Sequence, residues 1–132
     1  MMGESTKLTA FVVDASYLLA SLLPGEQNSE VDRMIGDYVS GKVRFCSVNL
    51  LPFEVLNGLK SAFKRKRISV DQLEKLGTAF LDWDIDYEEV KFDRALGLAV
   101  EEEISVYDAS YLWLAISRGI RLLTLDEKLM GL

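Results

Sequence analysis

Four carboxylates stand out by where they fall in the chain: Asp14, Glu54, Asp108 and Asp126. Asp14 closes the mostly apolar run Leu8–Val13, and Asp126 closes Arg121–Leu125. Glu54 and Asp108 fall at the openings of helix-patterned stretches that follow apolar segments. Carboxylates gathered within a few ångströms repel one another, so such clusters raise their pKa values or recruit cations. With oxygen donors alone the expected ion is hard, Mg²⁺ or Mn²⁺. A metal held in this way polarises a phosphoryl oxygen and lowers the pKa of a bound water. Each acid also has a simpler use: aspartate caps helices well, and a glutamate in a first turn interacts favourably with the helix dipole. What lifts Asp14 above a cap is an echo, since Asp108-Ala109-Ser110-Tyr111-Leu112 repeats Asp14-Ala15-Ser16-Tyr17-Leu18. Ser16, Asn57 and Thr124 stand beside these acids, where they can orient ligands or waters.

The elements that must carry these residues follow from hydrophobic patterning. Leu8–Val13, with its adjacent valines, reads as a strand buried on both faces of a parallel sheet. Leu18, Leu19, Leu22 and Leu23 then recur at helical spacing. A loop over Pro24–Ser29 leads to a second helix, capped by Asn28 or Ser29 and faced by Val31, Ile35, Tyr38 and Val39, with Gly41 closing it. Val43–Val48 is the second strand. A third helix enters through Pro52, with Leu51, Val55, Leu59 and Ala62 as its core face. Ser69 begins a fourth helix faced by Leu73, Leu76, Phe80 and Leu81. Trp83, Ile85 and Tyr87 suit a half-buried strand near the sheet edge. Phe92, Ala95, Leu96 and Ala99 put a helix over residues 89 to 102. Leu112, Leu114, Ala115 and Ile116 mark another that Gly119 ends, and Arg121–Leu125 is the last strand. The order β-α-α-β-α-α-β-α-α-β predicts an α/β fold, a three-layer α/β/α sandwich around a central parallel sheet of four to five strands. In such a sheet the carboxyl ends share one edge, so all four acids should meet there.

Composition bounds the rest. A chain of 132 residues, nearly half of them apolar, makes a single domain over 1–132 with a core that needs no staples. One cysteine, Cys46, cannot make an internal disulfide, and the lack of histidine argues strongly against a zinc site. Both fit a reducing, cytoplasmic setting. The polar opening Met1–Lys7 has no signal-peptide pattern, and no apolar run approaches the ~20 residues of a membrane span. A net charge of −6 argues against nonspecific nucleic-acid binding. Yet Lys60, Lys64, Arg65, Lys66 and Arg67 form a basic run at the end of the third helix. They serve either the helix dipole or a phosphate backbone. Asp82-Trp83-Asp84-Ile85-Asp86-Tyr87 alternates like a calcium loop. It has Tyr87 where that motif needs glycine and Asp93 where it needs glutamate, which rules calcium out.

Taken together, Val12-Val13-Asp14-Ala15-Ser16, Glu54-Val55-Leu56-Asn57, Tyr107-Asp108-Ala109-Ser110-Tyr111-Leu112 and Leu123-Thr124-Leu125-Asp126 resemble the PIN domain, the metal-dependent nuclease family that includes VapC toxins. The resemblance spans residues 8 to 129. Each motif is weak alone; all four in this order are specific. By this resemblance the family's acidic set falls on Asp14, Glu54, Asp108 and Asp126, and its hydroxyls on Ser16 and Thr124. It implies an endoribonuclease using Mg²⁺ or Mn²⁺, the toxin of a toxin–antitoxin pair, forming a homodimer and neutralised by a small antitoxin. Many relatives add a fifth strand, where this chain stops at Leu132. One rival keeps the fold but makes it an RNA- or protein-binding module with little or no nuclease activity. A phosphotransfer receiver domain would instead need paired acids after the first strand and a lysine after the last, where Ala15 and Asp126 stand.

Overall fold

Val12 and Val13 are wholly buried because β1 (Thr9–Val13) lies inside a sheet, with β2 (Val43–Val48) on one side and β4 (Leu122–Leu123) on the other. β3 (Ile85–Glu88) completes the order β3-β2-β1-β4, and every neighbouring pair is parallel. The register sets Phe11 beside Phe45, Phe45 beside Ile85, and Val13 beside Leu123. The computed structural model describes residues 8–26 and 28–132. The readings of Met1–Lys7, and of Gln27 within the first loop, fall outside those residues.

Seven helices are present among the described residues: α1 (Ala15–Leu22), α2 (Ser29–Val39), α3 (Leu51–Lys64), α4 (Val70–Leu81), α5 (Phe92–Glu102), α6 (Val106–Arg118) and α7 (Glu127–Met130). The strand order fixes their layers. From β1 to β2 to β3 the chain moves one way across the sheet, so right-handed crossovers put α1–α4 on one face. From β3 it returns to β4 in the opposite sense, which puts α5 and α6 on the other. The packing agrees: α1 meets α2 and α3, α3 meets α4, and α6 lies on β1, β2 and β4 with α5 beside it. This is the three-layer arrangement expected from the alternation of elements.

The predicted face of α3 is the buried one, with Leu51, Val55 and Leu59 at zero exposure and Ala62 nearly so. Gly58 lets α1 come close to that helix, since a Cβ there would lie 2.4 Å from Leu19 Cδ1. Asn28 supplies the cap of α2, accepting from the Glu30 and Val31 N–H groups at 3.1 Å. Of the acidic alternation near β3, Asp86 is held structurally: Arg118 binds it at 3.1 Å and Glu88 at 2.5 Å.

Several residues assigned to core faces are exposed instead. Val39 and Leu81 are the last residues of α2 and α4, and Ile116 lies in the last turn of α6. On α5 only Ala95 and Ala99 are buried, while Phe92 and Leu96 face outward, because the small alanines let α5 lie close against α6. β4 is also shorter than Arg121–Leu125. Its ladder stops after Leu123 because the Leu125 N–H donates to Ser16 Oγ (2.9 Å) and the Asp126 N–H to Thr124 Oγ1 (3.0 Å).

Candidate active site

Each of the four acids sits at the start of a helix. Asp14 is the N-cap of α1 and accepts from the Tyr17 N–H at 3.1 Å. Glu54 lies in the first turn of α3, and Asp108 in the first turn of α6. Asp126 caps α7, accepting from the Lys128 N–H at 2.9 Å. The helix N-termini carry partial positive charge, which tempers the repulsion of gathered anions. Asp108 does not cap its own helix. That work falls to Ser105, whose Oγ accepts from the Asp108 N–H at 3.0 Å.

The four meet in one cavity of about 320 Å³, lined also by Ser16, Leu19, Asn57, Gly58 and Tyr111. Asp14 is the anchor, at 4 % exposure. Ser16 Oγ donates to its Oδ1 at 2.7 Å, and the Thr124 hydroxyl donates to its Oδ2. Those two hydroxyls are themselves fixed by the Leu125 and Asp126 N–H groups. The loop after β4 therefore locks Asp14 from the neighbouring strand. Asn57 stands one turn beyond Glu54 on the same helix face.

Burial is the main influence on three of these acids, and their mutual charges add to it. Burial pushes Asp14 above the ordinary carboxylate range, the Asp108 charge adds to this, and the Thr124, Ser16 and Tyr17 donors draw it partly back. Glu54 is raised first by burial and then by Asp108 and Asp14, with the Tyr111 bond opposing. Asp108 is raised by burial and by Asp126, with Ser105 and Lys128 opposing. Among the described residues, no three acidic or cysteine side chains form a ready-made metal-coordination group.

Residues 11–130 match the family model of the PIN domain. This chain belongs to the PIN domain family. It is 35 % identical over 123 residues to ribonuclease VapC3 of Pyrobaculum aerophilum, spanning 89 % of this chain and 90 % of that protein. The PIN fold is also seen in solved structures. PAE2754 of Pyrobaculum aerophilum superposes with a TM-score of 0.67 at 26 % identity, over 93 % of this chain and 78 % of that one. VapC20 of Mycobacterium tuberculosis, described as a sarcin-ricin loop cleaving toxin, shares the fold with a TM-score of 0.62 at 16 % identity, over 92 % and 93 % of the two chains.

Two features of this PIN domain were not legible in its sequence. Tyr111 lines the cavity and donates to Glu54 Oε1 at 2.6 Å, a contact between residues 57 positions apart with no local signature. Burial, then the Glu54 bond and the nearby acids, push its hydroxyl far up, so it stays a neutral donor. The basic run, by contrast, lies outside the cavity. Lys64 ends α3, about 15 Å along the helix from Glu54, and Arg67 pairs with Glu26 at 2.9 Å.

Proposed function

We propose that this PIN domain is a metal-dependent endoribonuclease of the VapC type, the toxin of a toxin–antitoxin pair. The observation that carries this reading is the meeting of Asp14, Glu54, Asp108 and Asp126 in one cavity at the carboxyl edge of the sheet. The relative named a ribonuclease, matched over nine-tenths of its length, supports the reaction class. The donor set fits a hard cation: all four candidates are carboxylates, and three of them are raised by burial and by mutual charge, which a cation would relieve. Mg²⁺ or Mn²⁺ held by the four acids would polarise a phosphoryl oxygen and lower the pKa of a bound water. Ser16 and Thr124 occupy both oxygens of Asp14 and keep that carboxylate from turning. Asn57 is placed to bind a water or a phosphate oxygen beside Glu54. The test of the reading is cleavage of single-stranded RNA that begins on addition of Mn²⁺ and stops in EDTA.

The partners in this reading are RNA, a small antitoxin protein and a second copy of the chain. An apolar face supports the homodimer: Phe92, Leu96 and Val100 recur along α5 at 76 %, 56 % and 73 % exposure, beside Phe53, Val106 and Tyr107. An apolar patch of this kind marks an interaction site. No helix among the described residues is long and apolar enough to cross a membrane, and the proposed setting is the cytoplasm.

The basic run belongs to the same proposal as a phosphate contact away from the cavity. Replacing Lys60, Lys64, Arg65 and Lys66 with glutamine should raise the KM for RNA several-fold and flatten its salt dependence, because fewer counterions are released on binding. Arg67 is left in place for its pair with Glu26. Unchanged KM values at two ionic strengths would return the run to a helix terminus.

A further inference from the structure

We propose that Tyr111 is a positioning residue that sets the orientation of Glu54, an inference that rests on the reading of the cavity as a divalent-cation site. The phenol is 1 % exposed and its Oη donates to Glu54 Oε1 at 2.6 Å. That length belongs to the short, strong class of O–H···O⁻ bonds. Glutamate has several rotatable bonds and would otherwise sample many positions at a half-buried site. Tyrosine has only two, and this ring is fixed by the core around it. The bond engages one carboxylate oxygen and leaves the other available for a cation.

The placement of Tyr111 on α6 gives the contact a second consequence. It follows Asp108 by three residues, so both lie on one face of α6, one turn apart. The same rigid helix therefore contributes one acid directly and holds another, carried by α3, through its hydroxyl. The spacing between Glu54 and Asp108 is thus set by the α6 backbone and the Tyr111 ring, rather than by the glutamate side chain alone.

A buried tyrosine needs some partner for its hydroxyl, so a purely structural role predicts reduced stability with unaltered cation affinity. Titration calorimetry with MnCl₂ on the intact chain separates the two. Tyr111→Phe should bind Mn²⁺ about tenfold more weakly or worse, the usual loss when a residue supporting a metal ligand is removed. The kcat for RNA should fall with it while KM stays near the wild-type value. Because Tyr111 acts through Glu54, the double variant Tyr111→Phe, Glu54→Gln should bind no more weakly than Glu54→Gln alone. Melting in EDTA checks that each variant folds. Should Tyr111→Phe fail to fold, Tyr111→Leu, which also removes the hydroxyl and leaves Glu54 untouched, carries the same expectation. Tyr111→Phe binding within twofold of wild type, or losses that multiply in the double variant, would overturn the role of Tyr111 alone. A wild type that binds no Mn²⁺ would overturn the cation site itself, and Tyr111 with it.

Discussion

Asp108→Asn is expected to lower kcat/KM for single-stranded RNA by roughly a hundredfold or more, the scale of losing one preorganised electrostatic group, while the fold survives. The two outcomes are separable because Asp108 is not the cap of α6. Ser105 accepts from its backbone N–H, and that bond is indifferent to the side chain. Asparagine matches aspartate in shape, so packing in the first turn is preserved. Only the charge is lost, and a neutral amide is a poor donor to a hard cation. An Asn variant that melts like the wild type and still cleaves would remove Asp108 from the site.

Metal-linked stability gives the second large effect. An ion that binds only the folded chain at a hundredfold excess over its Kd stabilises it by about 2.7 kcal/mol. For a domain of this length that is roughly 10 °C in Tm. Mn²⁺ at neutral pH should therefore raise the melting temperature by that order, and EDTA should reverse it. Without metal the sign is set by the acids. Asp14, Glu54 and Asp108 bind protons more tightly folded than unfolded, where the ordinary values are 3.8 for Asp and 4.5 for Glu. Their contribution to stability is thus full below those values and is lost as pH rises through the raised, folded ones. In EDTA, Asp108→Asn should melt above the wild type at pH 7, and the gap should close as pH falls toward about 4. A gap that widens in acid would mean that Asp108 is stabilised by its surroundings as an anion.

Much of the fold was legible because its signals are local. The valines of β1, the four-residue buried face of α3 and the alternation of strands with helix pairs each follow from periodicity, and the parallel sheet follows from their order. Asp14 was legible as the residue where an apolar run stops. Periodicity marks a helix face but not which of its terminal residues find a partner: Val39, Leu81 and Ile116, in the last turns of their helices, proved exposed. It also cannot tell a core stripe from an unpartnered one, hence Phe92 and Leu96. The early end of β4 comes from Ser16 capturing the Leu125 N–H from 109 residues away, with Thr124 taking the Asp126 N–H locally. The Tyr111–Glu54 bond is likewise tertiary: Tyr111 sits within the DASYL echo as an ordinary core residue until α3 and α6, on opposite faces, bring the two side chains together at the carboxyl edge of the sheet.

The most direct measurement follows cleavage of a single-stranded RNA by the purified chain in EDTA and then with Mn²⁺ added. It is run on the wild type and on the variant carrying Asp14→Asn, Glu54→Gln, Asp108→Asn and Asp126→Asn together. Folding of the variant is verified by circular dichroism, because Asp14 and Asp126 also cap helices. The wild type should be silent in EDTA and cut once Mn²⁺ is present, and the folded quadruple variant should cut in neither. Wild-type cleavage that persists in EDTA, or a quadruple variant as active as the wild type, would contradict a metal-dependent nuclease built on these four acids. A wild type that binds RNA equally with and without Mn²⁺ and never cuts it would make the domain a docking module.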